Sequence, residues 1–273
     1  MTINCKGTLI DLSKPKVMGI LNITPDSFYD GGRYKNDASI LNQVETMLNE
    51  GATFIDVGAY SSRPGADHVT ETEELNRIIP IVELLIKQFP SINLSIDTFR
   101  SKIAKECINA GAAIINDISA GKLDSTILET VGKLGVPYVM MHMKGTPQTM
   151  QQFTDYEDLI KDINYYFSER VAEARSHKIN DIIIDPGFGF SKTLEQNYEL
   201  LNHLELLNLL ELPILVGVSR KSMIYKLLNT NPSEALNGTT SLNTIALLKG
   251  AKILRVHDVK EAMECIKLTN QFN

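Results

Sequence analysis

The chain is 273 residues long, 43% hydrophobic and 22% charged, with 27 Lys and Arg against 33 Asp and Glu for a formal net charge of −6. The acidic balance argues against nucleic acid or an anionic membrane as the main partner, and leaves room for a small anion held by a local basic cluster. Cys5, Cys107 and Cys265 stand apart in no paired motif, which excludes a disulfide framework and a cysteine zinc site. No apolar run reaches the ~20 residues of a membrane-spanning helix. The opening MTINCKGTLIDLSK lacks the basic-then-apolar order of a secretory signal, so a cytoplasmic location is expected.

Residues 2–13 read as a short N-terminal hairpin. From residue 16 one unit recurs: apolar run, polar loop, amphipathic helix, glycine, next apolar run. Strands are predicted at 17–22, 53–57, 94–97, 113–116, 138–142, 182–185, 214–218 and 253–257, with segments of 3.6-residue period between them. Ile40, Leu41, Val44, Met47 and Leu48 share one face of the first such segment, and Leu159, Ile160, Ile163, Phe167 and Val171 that of the fifth. Gly51, Gly111, Gly135 and Gly250 each follow a helical pattern, at the position that favours positive φ. Strands alternating with helices predict a parallel sheet. At this length the prediction is closure into a (β/α)8 TIM barrel, as a single domain over residues 1–273. The alternative is an open doubly wound sheet. No G-x-G-x-x-G follows a strand, which disfavours its dinucleotide-binding form.

Side chains alternate along a strand, so parity sorts barrel-facing residues from helix-facing ones. The predicted inward sets are Ile20 and Asn22; Phe54 and Asp56; Ser95 and Asp97; Ile114 and Asn116; Tyr138, Met140 and His142; Ile183 and Asp185; Leu215, Gly217 and Ser219, with Lys221 beyond; and Ile253, Arg255 and His257. In each set polarity gathers at the carboxyl end. One polar mouth is where barrels of this class hold their chemistry. Asp56, Asp97, Asn116 and Asp185 suit a heterocycle with ring N–H and amino groups. Arg63, Lys221, Arg255 and His257 suit an anion such as a phosphate ester. The first strand ends in Asn22 and runs into a polar loop, Thr24-Pro25-Asp26-Ser27 and onward, which carries Phe28 and Asp30 and cannot continue a strand.

Seven stretches in register carry a family resemblance: MGILNITPDSFYDGG (18–32), DVGAYSSRPGA (56–66), SIDTFRS (95–101), IINDI (114–118), IDPGFGFSKT (184–193), GVSRKS (217–222) and RVHDV (255–259). Together they resemble the dihydropteroate synthase family of pterin-binding barrels, from about residue 17 to the C-terminus. One departure is Ala59-Tyr60-Ser61-Ser62, where the family reads Gly-Glu-Ser-Thr.

The resemblance implies a folate-pathway enzyme that joins 6-hydroxymethyl-7,8-dihydropterin pyrophosphate to p-aminobenzoate with Mg²⁺. It implies that Asp97, Asn116, Asp185 and Lys221 hold the pterin, with Arg255 over the ring and Met140 beside it, and that Asn22 contacts Mg²⁺. Arg63 and His257 would hold pyrophosphate. Phe28, Ser62, Pro64, Phe190 and Ser219 would line the p-aminobenzoate side. Asp30, Arg63, Asp97 and Lys221 would serve the chemistry, in which pyrophosphate leaves before the amine attacks. The resemblance also suggests a homodimer through C-terminal helices, with Leu242, Ile245, Met263 and Ile266 contributing. A methyltetrahydrofolate-dependent methyltransferase would not need the NITPDSF loop or the Arg-x-His pair. A non-catalytic pterin-binding homologue would have lost Asn22, Arg63 or Lys221.

Overall fold

The structure is a computed structural model that describes residues 1–23, 32–60 and 69–272, with the side chains of 32–36 left aside. Phe28, Asp30, Ser62, Arg63 and Pro64 therefore lie outside the described residues.

Strands β1 (Thr2–Cys5) and β2 (Thr8–Asp11) pair antiparallel as the expected hairpin. Then β3 (Lys16–Asn22), β4 (Phe54–Gly58), β5 (Leu94–Asp97), β6 (Ile114–Asp117), β7 (Tyr138–Met141), β8 (Ile182–Asp185), β9 (Leu215–Val216) and β10 (Ile253–Val256) form one parallel sheet in the order β8-β7-β6-β5-β4-β3-β10-β9. A single bridge, Ile184 to Ile214, joins its two ends, so the sheet is a nearly closed TIM barrel. The helices between are α1 (Gly32–Glu50), α2 (Glu71–Gln88), α3 (Ser101–Asn109), α4 (Ile127–Leu134), α5 (Leu159–Ser176), α6 (Leu194–Asn202), the short α7 (Ser222–Tyr225), α8 (Leu236–Leu248) and α9 (Val259–Thr269). The four helix-ending glycines adopt φ of +108°, +110°, +65° and +101° at positions 51, 111, 135 and 250. That is the left-handed region where other residues are strained.

Two apolar layers follow from the strand alternation. The larger lies between strands and helices and includes Val17, Ile55, Val57, Leu94, Ile96, Ile115, Ile182, Ile184, Val216 and Leu254. The smaller fills the amino-terminal half of the barrel with Met18, Phe54, Ile114, Val139, Ile183, Leu215 and Ile253. Ile3, Cys5 and Leu12 cap that inner layer. The hairpin is pinned there by Asn4 N–H donating to Asp181 Oδ2 at 2.8 Å and Lys6 Nζ donating to Gly111 O at 2.9 Å. All three cysteines are buried and unbridged. Among the described residues no helix is long and apolar enough to cross a membrane.

Two expectations are corrected. The strand predicted at 214–218 shortens to Leu215–Val216, because β10 pairs with it only at those two residues and β8 touches its approach through one bridge. The parity of the strand at 138–142 is inverted. Val139 points into the barrel, while Tyr138 and Met140 pack in the strand–helix layer. In YVMMH the polar atoms at the ends are satisfied on the outside instead. Tyr138 OH donates to buried Asp117 Oδ2 at 2.5 Å, and His142 Nδ1 meets Lys192 Nζ at 3.1 Å.

Candidate active site

On β4, β6, β8 and β10 the inner apolar residue is followed two positions later by a polar one, and these meet at the carboxyl end of the barrel. Asp56 ends the inward row of β4 and is fully buried. Its Oδ2 accepts from Arg255 Nε at 2.7 Å and from Asn116 Nδ2 at 3.0 Å. Arg255 Nη2 also donates to Asp97 Oδ2 at 2.8 Å, so one guanidinium from β10 bridges carboxylates on β4 and β5. Because Asp56 takes the Asn116 amide N–H, the Asn116 carbonyl oxygen is left facing other groups in the mouth. Asp56 Oδ1 and the neighbouring Ser95 Oγ are buried atoms with no hydrogen-bond partner among the described residues.

Asp185 closes β8, and its Oδ1 accepts from Gly187 N–H at 2.8 Å. Residues 186–191 then fold back across the mouth. Gly187 must be glycine here: φ is +72°, and a Cβ would sit 2.2 Å from His142 O. Beyond β9, Arg220 at φ +54° turns the chain. Its side chain is committed outward, with Nε donating to Asp258 Oδ2 at 3.0 Å. The turn sends Lys221 inward, where Nζ donates to Phe188 O and lies 4.7 Å from the centroid of the Phe190 ring. Ser219 Oγ and His257 Nδ1 are 3.0 Å apart, and His257 N–H donates to the same hydroxyl at 3.2 Å. Asn22, half-buried at the end of β3, stands in register with Gly58 of β4.

The cluster is electrostatically tense. Burial pushes the Asp97 carboxyl up to about 7, against the pull of Arg255 and with the repulsion of Asp56. Burial also raises Asp185, while Lys221, Gly187 N–H, Arg255 and Lys192 pull it back. The Lys221 ammonium is pushed down to about 8 by burial, opposed by Asp185. Burial works against the Arg255 charge too, but Asp56 and Asp97 outweigh it and hold the guanidinium above its ordinary value.

Of the residues singled out from sequence, Asp97, Asn116, Asp185, Ser219, Lys221, Arg255 and His257 converge on this mouth, with Phe190 on its lip and Asn22 at its edge. Met140 does not. It is fully buried under the helices, and the methionines packed with the Phe190 lip are Met141 and Met143. They join Ile118 and Met150 in an apolar wall that includes Phe99. The departure at Ala59-Tyr60 has a visible consequence. The Tyr60 ring stacks edge-on against Phe99 at 5.3 Å, and its hydroxyl accepts from Gln148 Nε2 at 2.8 Å.

Sequence reasoning passed over two groups that shape the site. Buried Glu74 accepts from Thr98 Oγ1 at 2.7 Å and from Arg100 Nη1 at 2.5 Å, and Arg100 also donates to Val69 O. This ties the far side of the second loop to the residues after Asp97. No local signal joins residues 26 apart, although Arg100 lies within the SIDTFRS motif. The second group is Lys192, 4% exposed, at the end of the IDPGFGFSKT motif.

Residues 18–257 match the family described as pterin binding enzyme, which makes this barrel one of the pterin-binding class. A dihydropteroate synthase of Escherichia coli K12 is 45% identical over 270 residues, covering 98% of this chain and 95% of that protein. A dihydropteroate synthase of Synechocystis is 45% identical over 267 residues, covering 96% and 92%. The chain belongs to the dihydropteroate synthase family. Among solved structures, the Yersinia pestis dihydropteroate synthase in complex with a sulfonamide drug superposes with a TM-score of 0.93 at 45% identity, covering 100% of this chain and 99% of that one. The Xanthomonas albilineans dihydropteroate synthase with 4-aminobenzoic acid gives a TM-score of 0.92 at 36% identity, covering 99% and 97%.

Proposed function

We propose that this chain is a transferase of folate biosynthesis that condenses 6-hydroxymethyl-7,8-dihydropterin pyrophosphate with p-aminobenzoate, giving 7,8-dihydropteroate and pyrophosphate. The observation that carries the reading is the gathering of Asp97, Asn116, Asp185 and Lys221, each from a different strand end, around one buried mouth. A pterin offers an amino group and ring N–H to carboxylates, and a carbonyl oxygen and ring nitrogen to an ammonium. Asp97 and Asp185 are the acceptors in this reading. Asn116 presents its oxygen because Asp56 holds its N–H, and Lys221 is the donor. The relatives support the second substrate and its mimic, since one neighbour holds 4-aminobenzoic acid and another a sulfonamide drug.

The electron-rich reduced pterin can carry positive charge at its exocyclic methylene carbon. Pyrophosphate leaves first, its charge received by Arg255, His257 and Arg63, and the arylamine then attacks that carbon. Fixed dipoles and charges aimed at the separating ions supply the stabilisation, and no covalent nucleophile is needed. Asp97, and Asp30 outside the described residues, offset charge on the pterin. Ser219, Phe190, Phe28, Ser62 and Pro64 position the amine.

The donor set fits Mg²⁺. Asn22 offers one amide oxygen beside the mouth, and among the described residues no three His, Cys, Asp or Glu side chains stand together as ligands. A hard ion that keeps several waters and shares its remaining positions with phosphate oxygens suits such a place. When bound, Mg²⁺ neutralises charge on the leaving pyrophosphate.

A homodimer is part of the proposal. Leu242 and Ile266 belong to the core, so the surface available to a second copy is instead that of Ile245, Leu248 and Leu268, which are exposed on α8 and α9.

A pyrophosphate-release assay tests the reading. Sustained release with one 7,8-dihydropteroate formed per pyrophosphate when both substrates are present is the expected result. No 7,8-dihydropteroate from the two substrates, or methyl transfer from methyltetrahydrofolate, would overturn it.

A further inference from the structure

Lys192 is buried, yet its ammonium has three acceptors for three N–H donors. Nζ is 3.0 Å from Gly187 O, 3.0 Å from Phe190 O and 3.1 Å from His142 Nδ1. His142 is held neutral by its own burial and by the nearby lysines, so Nδ1 accepts and the ring proton sits on Nε2. The two carbonyls belong to residues 186–191, the loop that supplies Phe188 O and the Phe190 ring to Lys221. The same loop is tied by Asn197 Oδ1 to Gly189 N–H at 2.6 Å and by Tyr156 OH to Ser191 O at 2.8 Å. Among the described residues two cations hold this loop, Lys221 through Phe188 O and Lys192 through Gly187 O and Phe190 O. Its position is N-terminal to Thr193, which caps α6 by accepting from Gln196 N–H, so the lysine stem is fixed at both ends.

We propose that Lys192 is a positioning residue of the pterin site, moulding the 186–191 loop around Lys221 and setting a positive charge behind Asp185. This rests on the reading of Asp185 and Lys221 as pterin contacts. The titratable groups that face Lys192 are the neutral His142 at the end of β7, and the charged Lys144 just beyond it, Asp185 at the end of β8 and Lys221 beyond β9. Asp185 is the one anion among them, and the attraction is mutual: Lys192 pulls the Asp185 carboxyl down while Asp185 holds the Lys192 proton on. Burial pushes the Lys192 ammonium down to about 7. Lys192 is therefore charged on the acid side of neutrality, which is where a buried Asp185 would otherwise take up a proton and lose its value as an acceptor.

The sign of the effect follows. Removing the Lys192 charge raises the Asp185 pKa further, so pterin binding fails at a higher pH. For Lys192→Gln, which keeps two N–H donors for Gly187 and Phe190, the acid limb of the pterin kcat/KM profile should move up by about one pH unit. The pterin KM should rise about tenfold near the limb and approach the wild-type value well above it. Lys192→Arg, which keeps the charge, should keep the wild-type limb. Lys192→Met should show the same displaced limb with an added loss common to every pH, from the loosened loop. A glutamine variant equally impaired at every pH would reduce Lys192 to a structural role and overturn the proposal, as would a limb displaced equally in the arginine variant. The glutamine and arginine variants carry the test if the methionine variant does not fold. Asp185→Asn separates the two levels. If it leaves pterin binding unchanged, the underlying reading of the site falls; if it weakens binding while the Lys192→Gln limb stays put, only the role of Lys192 falls.

Discussion

The two ends of the barrel are built by the same strands with the same parity, two residues apart, and they could hardly differ more. At the amino-terminal end Met18, Phe54, Ile114, Val139, Ile183, Leu215 and Ile253 meet beneath Ile3, Cys5 and Leu12 in a closed apolar floor. At the carboxyl end Asp56, Asp97, Asn116, Asp185, Arg255 and Lys221 crowd together, with the Asp97 and Asp185 carboxyls pushed up and the Lys221 ammonium pushed down by the same burial. The floor lowers the free energy of folding by removing apolar surface from water. The mouth raises it, because charges lose their hydration and regain only part of it from one another. The site is a strained assembly held in place by a floor that has no part in binding.

Substitutions at the two ends should therefore separate stability from function. The largest effect belongs to the floor. Phe54→Ala should cost about 3–5 kcal/mol of folding free energy through lost transfer and a residual cavity. Urea unfolding should show it, with pterin affinity of the folded fraction unchanged. A variant of normal stability but weak pterin binding would invert the contrast.

Next in size is the mouth. Asp185→Asn should weaken pterin binding about ten- to a hundredfold, the ~1.5–3 kcal/mol of a charge-assisted hydrogen bond. Calorimetry with the pterin substrate reads the loss, and the thermal midpoint should not fall, since a buried carboxylate is replaced by a neutral amide of the same shape. A drop in midpoint matching that of a floor variant would mean the carboxylate is structural.

Asn22→Ala sharpens the contrast within the mouth. If the amide serves the metal and the leaving group, turnover should fall more than pterin affinity, and raised Mg²⁺ should restore part of it. Equal activity at low Mg²⁺ would remove Asn22 from that role.

A last expected effect is a pH dependence of stability. The folded-state pKa of Asp97, about 7, lies above its ordinary value. The folded form therefore binds a proton more tightly than the unfolded chain, and the resulting stabilisation is full at low pH and lost as pH rises through about 7. Comparing urea midpoints of wild type and Asp97→Asn across that range isolates it. Parallel curves would show that Arg255 keeps Asp97 ionised throughout.

The contrast between the ends also explains what could be read from sequence. The barrel was legible because each strand has apolar, β-branched residues and four returns carry a glycine at positive φ, at positions 51, 111, 135 and 250. Seven of the eight inward rows were legible because a polar residue marks the carboxyl end of each. In YVMMH the marker misled: Tyr138 and His142 are polar, but their partners, Asp117 and Lys192, lie in the helix layer. Met141 rather than Met140 is the consequence. Lys192 and the Glu74–Arg100 pair escaped notice because a buried charge looks like any other charge until the acceptors around it are known, and those come from backbone carbonyls or from elements far away in sequence.

The hairpin has a kinetic consequence. By stopping the lower end it makes the barrel a vessel with one door, so everything that arrives or departs must use the same passage. Asn116 and Asp185, assigned to the pterin, are buried, while Phe190 is half-buried on the lip. Whatever enters second sits above whatever entered first. An amine bound first would bar the pterin from its seat, and a product, joined from both halves, can be withdrawn only tail first. Traffic through one door imposes an order on the two substrates before any chemistry selects it.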